Sequence, residues 1–432
     1  MKKPKQLWEK AATKLHPAVH QYIIDPNLEA DKALLKFDIR ASIAHAEMLE
    51  SVALLEKKDL EVIRTTLQAI EKDFDAGVFV LDPALEDVHT AIENALVERV
   101  GDLGKRIHVG RSRNDQVLVA MRLYTKEALV EIDHLLLESS KTILEFARTH
   151  EDIPMPGYTH MQKAMPSSVG QWAASFVEAM INDRDLIETA RKLNDQNPLG
   201  SAAGFGTGLP LDRNFTTQKL GFSKTQINPL FSQMSRSKFE SFTLSTLVQV
   251  MLSLDKVAND LIIFTNQEFN FFQVDACLTT GSSIMPQKRN LDIMEVLRAN
   301  TSIVLSLQNQ VQTVGLNLLS GYNKDLKITK KALMEGIKIV KASLSITALT
   351  FKNLRPNKEA LMAACSDPTL YAADAANSRV MSGETFRDAY RFVGENLDTL
   401  KPEDPKQNLL SKTHLGSTGN LGLDDLEKRL GV

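Results

Sequence analysis

The 432-residue sequence lacks the features of a secreted, membrane-spanning or nucleic-acid-binding protein. Its two cysteines, Cys277 and Cys365, match no zinc or redox spacing, which argues against a disulfide framework and favours a reducing compartment. The longest uncharged apolar stretch, residues 241–254, is too short to span a bilayer. The net charge of -3 gives no support for a nucleic-acid or anionic-membrane partner. Because residues 1–10 also lack the apolar segment of a signal peptide, we expect a soluble cytoplasmic protein.

Helix-breaking residues are missing from three long windows of the chain. Neither glycine nor proline occurs in residues 111–153, 171–197 or 230–280, which are rich in strong helix formers. In the third window, apolar residues recur at steps of three and four, so one apolar face persists for many turns. A helix of about 40 residues is about 60 Å long, so such helices must pack side by side in an elongated bundle. The apolar stripe is broad enough to predict a homo-oligomer. Alternating strand patterns are scarce.

The spacing of breakers also suggests three domains. Residues 1–110 are predicted to form shorter helices, of which residues 31–57 give the clearest pattern. This part of the chain ends in a segment with several glycines. The long helices occupy residues 111–355. Residues 356–432 are more polar and are interrupted more often, which predicts a small C-terminal helical domain.

The segment GRSRNDQ, residues 110–116, predicts an anion site at the start of a helix. Gly110 breaks the preceding segment and an apolar helical pattern follows, so Arg113 and Asn114 lie at the helix N-terminus. Free backbone N–H groups and an arginine can bind a carboxylate there. The alternative is an Asn or Asp cap beside two solvated arginines.

Two histidines are candidates for proton transfer or binding. His160 stands between a glycine turn and Pro166, and its reference pKa allows both protonation states near neutral pH. His89, two positions after Asp87, could serve a relay or bind substrate. The alternatives are a surface histidine for His160 and ordinary helix-start chemistry around His89.

Two other patterns carry little weight. His16 and His20 have the i, i+4 spacing of a metal pair, but Pro17 follows His16 and no partnering carboxylate motif follows the pair, so we expect no metal site. The glycines of residues 204–208 follow a helical segment instead of a strand, which disfavours a nucleotide site.

The loop TTGSSIMPQKRN, residues 279–290, combines a serine pair with cations. Ser282 would need nearby positive charge and hydrogen-bond donors to act as a base, and Lys288 with Arg289 and Asn290 could supply them. The small residues would allow the loop to close over a ligand. The absence of a G-x-S-x-G elbow argues against an ordinary serine hydrolase. The alternative is a solvated basic turn.

Six sequence blocks, in order along nearly the whole chain, resemble the argininosuccinate lyase family of the fumarase/aspartase superfamily. They are EDVHT (86–90), GRSRNDQ (110–116), GYTHMQ (157–162), NPLGSAAGFG (197–206), GSSIMPQKRN (281–290) and GYNKDL (321–326). The resemblance implies an all-α, three-domain fold with a central bundle of long helices. It also implies a homotetramer with a twenty-helix core, in which each active site gathers residues from three subunits.

The same resemblance implies roles for individual residues. Ser282 is the base that removes a proton from the carbon beside a substrate carboxylate, and Lys288 with Asn290 stabilises the resulting charge. His160 assists departure of the nitrogen, and Glu295 holds its ring. One carboxylate is itself the electron sink, so no metal or organic cofactor is implied. The matching substrate-binding positions are Arg113, Asn114, Thr159 and Ser283 for the succinyl carboxylates, Asp87 and Tyr322 for the arginine part, and Lys330 for the amino-acid carboxylate.

The sequence departs from the family pattern at several positions. Asn27 stands where a substrate-binding serine is common, and Arg289 and Leu291 replace a lysine and a proline. Lys327 stands where a glutamine usually helps to bind the arginine part, and a cation there would repel a guanidinium that faced it closely.

The family resemblance implies β-elimination of argininosuccinate to arginine and fumarate by a homotetramer. One alternative is a sister fumarate-releasing lyase, such as a fumarase, an aspartase or an adenylosuccinate lyase, for which Lys327 leaves room. The other is a catalytically silent structural protein like some lens crystallins. The presence of Ser282, Lys288, Asn290 and His160 disfavours that second alternative.

Overall fold

The computed structural model describes residues 28–82, 85, 87–401 and 403–431, together with residues 16, 18, 19 and 22. These residues form two compact units, each built from segments that are separate in sequence. The first unit contains the described residues up to Glu131, Ile187–Thr246 and Leu305–Lys338. The second contains Ile132–Leu186, Leu247–Val304 and the residues from Ile339 onward. The three domains predicted at 1–110, 111–355 and 356–432 stay a prediction.

Helices dominate the described residues. They are α1 (Leu28–Ser51), α2 (Lys57–Asp75), α3 (Val88–Val100), α4 (Asp102–Lys105), α5 (Arg113–Thr149), α6 (Val169–Asn194), α7 (Arg213–Lys219), α8 (Pro229–Met234), α9 (Lys238–Phe264), α10 (Asp292–Val314), α11 (Thr329–Lys352), α12 (Lys358–Ala364), α13 (Ala372–Met381), α14 (Phe386–Glu395), α15 (Pro405–Ser411) and α16 (Leu423–Leu430).

The strands of the described residues pair two by two. They are β1 (Pro154–Thr159) with β2 (Gln162–Ser168), β3 (Gln196–Asn197) with β4 (Lys224–Thr225), β5 (Phe272–Val274) with β8 (Leu354–Pro356), and β6 (Thr280–Gly281) with β7 (Arg289–Asn290). The predicted all-α class is confirmed, because these strands are short and the long elements are helical.

The breaker-free windows correspond to the long helices. Helix α5 has 37 residues, which agrees with the predicted length of about 40. The third window is not one helix, because α8 begins separately with Pro229 in its first turn and Ser237 has φ 60° before α9. The predicted apolar face of α9 is buried, with Leu244, Met251 and Leu261 all fully inaccessible.

Residues 154–168 form a hairpin that the sequence did not predict. Strands β1 and β2 are antiparallel, with Pro154 opposite Ser168 and Thr159 opposite Gln162. His160 and Met161 between them both have positive φ, 53° and 63°, as the central residues of a type I′ turn do. Alternating hydrophobicity does not predict this hairpin, because its residues do not alternate regularly between apolar and polar.

An aromatic cluster fills the core of the second unit. The ring of Trp172 stacks on Phe272 at 4.8 Å and on Phe351 at 5.9 Å between centroids. Its indole N–H donates to Asp260 Oδ2 at 2.9 Å, so the one polar atom of the ring is satisfied.

His45 is a fully buried histidine of α1 in the first unit. Its Nε2 lies 2.8 Å from the carbonyl oxygen of Val109, so the neutral ring can donate a hydrogen bond there. Burial, and next the nearby charge of Arg111, lower the pKa of His45 to about 3. The side chain therefore ties α1 to the segment before α5 as a neutral group.

We expect His45 to make the protein sensitive to acid. Between about pH 6.5 and about pH 3 the unfolded chain binds a proton at His45 that the folded chain does not, so stability is lost as the pH falls. The loss from this one group approaches about 1.4 kcal/mol per pH unit. Urea unfolding of the wild type and of His45→Gln at pH 7 and pH 5 measures it. Equal losses of stability in the two proteins would contradict the assignment.

A helix suited to crossing a membrane is absent from the described residues, since none is both long and apolar enough.

Candidate active site

One pocket of the first unit collects six of the predicted substrate-binding residues. Its volume of about 220 Å³ is several times the roughly 30 Å³ of one water, so it can hold a small molecule. The predicted residues in its wall are Asp87, Arg113, Asn114, Tyr322, Lys327 and Lys330. The wall also contains Val117, Met121, Arg236, Glu240, Lys324, Leu326 and Thr329.

Asp87 and Arg113 form an ion pair in the wall of this pocket. Asp87 is the N-cap of α3, where its Oδ1 accepts hydrogen bonds of 2.9 Å from both the backbone N–H and the hydroxyl of Thr90. Its Oδ2 accepts from Arg113 Nε at 3.1 Å and also from Nη2. Burial alone would raise the pKa of the Asp87 carboxyl, but the charges of His89 and Arg113 hold it below its usual value.

The start of α5 has the predicted architecture. The helix begins at Arg113, and Asp115 in its first turn accepts a hydrogen bond of 2.9 Å from the backbone N–H of Ser112. The other oxygen of Asp115 accepts from the N–H groups of Gly200 and Ala202, at 3.0 and 2.9 Å. Burial raises the pKa of Asp115 to about 6 against the effect of these bonds. The segment that contains Gly200 and Ala202 is thus tied to the start of α5 through Asp115.

Arg236 and Glu240 belong to the pocket, although the sequence motifs did not predict them there. The Arg236 guanidinium lies 5.1 Å from the centre of the Tyr322 ring and donates to the backbone oxygen of Asn114. Glu240 lies in the first turn of α9, 3.8 Å from Arg122 Nη1. Charged residues at the start of an apolar helix were the available signal, because a charge that becomes buried there needs a partner or a ligand.

Lys330 is held at the pocket wall by Asp31. Its Nζ lies 2.6 Å from Asp31 Oδ1, and both residues are buried. Asp31 was not predicted as part of the site. Lys327 is half-buried and also lines the pocket. Asn27 lies outside the described residues.

His89 does not line this pocket, and its predicted role in substrate binding or a relay stays a prediction. The side chain is buried in the first turn of α3, and its Nδ1 lies 2.9 Å from Asp38 Oδ1. The contact with Asp38 directs the imidazole towards α1. The neighbouring positions of α3 are also buried.

The serine loop is an exposed hairpin of the second unit. Strands β6 and β7 pair at its base, with Thr280 opposite Asn290 and Gly281 opposite Arg289. Ser282 Oγ accepts hydrogen bonds from the backbone N–H groups of Ile284 and Met285, at 3.3 and 3.1 Å. Two such donors favour the alkoxide form of a hydroxyl. The loop tip and Ser283 and Lys288 are exposed, so they can contact a ligand.

The other predicted residues of the second unit are also accessible. His160 is exposed at the tip of the β1–β2 hairpin, next to exposed Thr159. Glu295 is exposed in the first turn of α10, immediately after the serine loop. The residues predicted for proton transfer thus lie in the second unit, whereas the pocket lined by six predicted substrate-binding residues lies in the first.

Comparison with known proteins identifies the family. The model of a lyase family matches residues 23–305. The chain is 40% identical over 424 residues to an argininosuccinate lyase of Stenotrophomonas maltophilia (strain R551-3), covering 98% of both chains. It is 41% identical over 425 residues to an argininosuccinate lyase of Sorangium cellulosum (strain So ce56), again covering 98% of both. The chain belongs to the argininosuccinate lyase family of the fumarase/aspartase superfamily.

Solved structures agree with this family at the level of the fold. An EDDS lyase in complex with formate superposes with a TM-score of 0.82 at 20% identity, covering 97% of this chain and 91% of the other. A class II fumarase of Schistosoma mansoni gives 0.73 at 16% identity, covering 95% and 91%. The expected fumarase/aspartase-like fold is therefore confirmed for this member of the argininosuccinate lyase family.

Proposed function

We propose that the protein cleaves argininosuccinate by β-elimination, giving arginine and fumarate. The observation that carries the proposal is the pocket of the first unit, which unites six residues of the family pattern. Identity of about 40% to argininosuccinate lyases over nearly the whole chain supports the same substrate.

The reaction needs a base, an electron sink and a route for the leaving nitrogen. Ser282 takes the proton from the carbon beside one carboxylate, and the electron pair enters that carboxylate as an aci-carboxylate. Lys288 and Asn290 stabilise this charge, and removing such a preorganised donor typically costs about 10² to 10³ in rate. The C–N bond then breaks, a carbon–carbon double bond forms, and the nitrogen leaves with its electron pair.

The nitrogen acquires its proton from an acid or from water. His160 is exposed at a hairpin tip, from which it can reach a ligand, and Glu295 would orient its ring. Because the guanidinium is already protonated, its nitrogen can leave as part of a neutral guanidine, so the acid contributes less here than the base does. Thr159 and Ser283 would hold succinyl oxygens beside these groups.

The pocket residues bind and orient the rest of the substrate. Arg113, aligned by Asp87, and Asn114 would bind a succinyl carboxylate, and Tyr322 and Lys330 would contact the arginine part. Arginine side chains suit this task because the guanidinium can donate two parallel hydrogen bonds.

We further propose a homotetramer in which different subunits contribute to each active site. The proton-transfer residues and the substrate pocket belong to different compact units, so neither unit holds a complete site alone. Apolar side chains remain exposed on the helices of the second unit, which supports burial against other copies. They include Leu186, Leu252, Val296 and Ile303.

A cytoplasmic location is also part of the proposal. Cys277 is exposed and Cys365 is buried, and both are free thiols. An exposed thiol is compatible with a reducing compartment, where it stays reduced.

A substrate panel tests the proposed activity. We expect fumarate, followed by its ultraviolet absorbance, from argininosuccinate and not from malate, aspartate or adenylosuccinate. Lys327 is the specific observation favouring a second candidate, a sister lyase whose amine product carries less positive charge. Release of fumarate only from one of the other compounds would move the assignment to that sister enzyme.

The Lys327→Gln variant tests whether the charge of Lys327 weakens binding of argininosuccinate. If Lys327 repels the guanidinium, the variant should lower KM for argininosuccinate several-fold with little change in kcat, because only binding of the amine half improves.

A further inference from the structure

A stripe of buried polar residues runs along one face of α1 behind the pocket. Asp31, Asp38, Ser42 and His45 are separated by seven, four and three positions, so they lie on the same side of the helix. All are buried, between apolar neighbours such as Leu34. Charged groups at such positions are costly unless they are paired, so each is expected to have a structural or functional partner.

The partners of the stripe come from the segments that build the pocket. Asp31 pairs with Lys330 at 2.6 Å, and Asp38 pairs with His89 at 2.9 Å. Ser42 Oγ accepts a hydrogen bond of 2.8 Å from Arg111 Nη1.

Each of these partners adjoins a residue of the pocket. Lys330 itself lines the pocket, His89 follows Asp87 by two positions, and Arg111 precedes Arg113 by two. Helix α1 thus forms a common support for three walls of the site.

The charges along this support alternate. Burial alone would lower the pKa of His89, but the carboxylates of Asp38, Asp87 and Asp31 outweigh burial and raise it. The charges of His89 and Arg113 in turn lower the pKa of Asp87, against the effect of burial. The cations facing the same carboxylates are Arg111, Arg113 and Lys330.

We propose that Asp38 and His89 are positioning residues, which hold Asp87 and through it orient Arg113 towards a carboxylate of the substrate. Asp38 contacts His89 in the first turn of α3, Asp87 is the N-cap of the same helix, and the Asp87 carboxylate contacts the Arg113 guanidinium. Neither Asp38 nor His89 touches the substrate. The inference rests on the proposed function, because it assigns Arg113 to a succinyl carboxylate.

The Asp38→Asn variant removes the charge and keeps the shape of the side chain. His89 then loses its main counter-charge and deprotonates at lower pH than in the wild type. We expect kcat/KM of the variant to fall about tenfold between pH 6 and pH 8 relative to the wild type, mainly through KM. The measurement is fumarate release from argininosuccinate at half-unit pH intervals.

Two further variants separate positioning from a general loss of stability. His89→Gln removes the titrating group, so its activity should match that of Asp38→Asn at pH 8 and show no added pH dependence. Ser42→Ala removes a neutral contact of the same stripe, so its pH profile should stay parallel to that of the wild type even if its stability falls.

The outcomes distinguish this inference from the proposed function. An Asp38→Asn profile parallel to that of the wild type would overturn the positioning role. If Asp38→Asn does not fold, His89→Gln decides, because an unchanged KM overturns the role and a raised KM supports it. A wild-type protein that releases no fumarate from argininosuccinate contradicts the proposed function instead, and the same variants are then compared on the panel compound that it does cleave.

Discussion

Replacing Ser282 with alanine is expected to reduce kcat by about 10³-fold or more while leaving the fold intact. The change removes the hydroxyl that is proposed to take the proton from carbon, so the chemical step loses its base. The fold should tolerate it because Ser282 lies in a partly exposed loop, where its Oγ only accepts hydrogen bonds from Ile284 and Met285. Fumarate absorbance under substrate saturation measures the effect.

Thr279→Ala provides the matched control for this loop. Thr279 is half-buried just before β6, and its hydroxyl donates to the backbone oxygen of Ala276 at 3.0 Å. The control removes a local loop hydrogen bond without touching the proposed base, so turnover should stay within about twofold of the wild type. If Ser282→Ala kept a tenth or more of wild-type kcat, Ser282 would not be the base.

A mixture of two inactive variants is expected to recover activity. Ser282→Ala lacks the base of the second unit, and Arg113→Gln lacks the carboxylate-binding group of the first. If different subunits supply these residues to one site, a mixed tetramer contains sites with both native residues. Random mixing at equal concentration should give about one quarter of wild-type activity, since each contributing subunit is native at its own position about half the time.

The experiment requires exchange of subunits between tetramers. The two variants are denatured together in urea, refolded, and assayed for fumarate release. Each variant taken through the same cycle alone should stay inactive, and the refolded mixture should scatter light as a tetramer. Recovery no greater than the sum of the separately refolded variants would show that each subunit builds its site alone.

Much of the candidate site could be anticipated from the sequence. Asp87, Arg113 and Asn114 were recognised from short motifs, and the structure brings them into one pocket with Tyr322 and Lys330. Motifs work here because each contains its own local signal, such as a helix start or a glycine break.

Other parts of the site had no such signal. Asp31 and Asp38 lie in a helix with several other charged residues, so the sequence did not show that these two face the core and not solvent. His89 was expected at the substrate, yet packing of α3 turns it towards α1. The partner of its imidazole therefore could not be predicted from its neighbours in sequence.

Local interactions explain why the helical character of the chain was predictable. Glycine and proline mark helix ends within a few residues, and the spacing of apolar side chains identifies the buried face of α9. The pairing of charges was decided by packing. Lys330 and Asp31 lie 299 positions apart, and their 2.6 Å contact exists because two distant helices are brought together in the folded core. A sequence pattern describes which residues can pair, whereas the burial that makes one pair favourable arises only when the chain has folded.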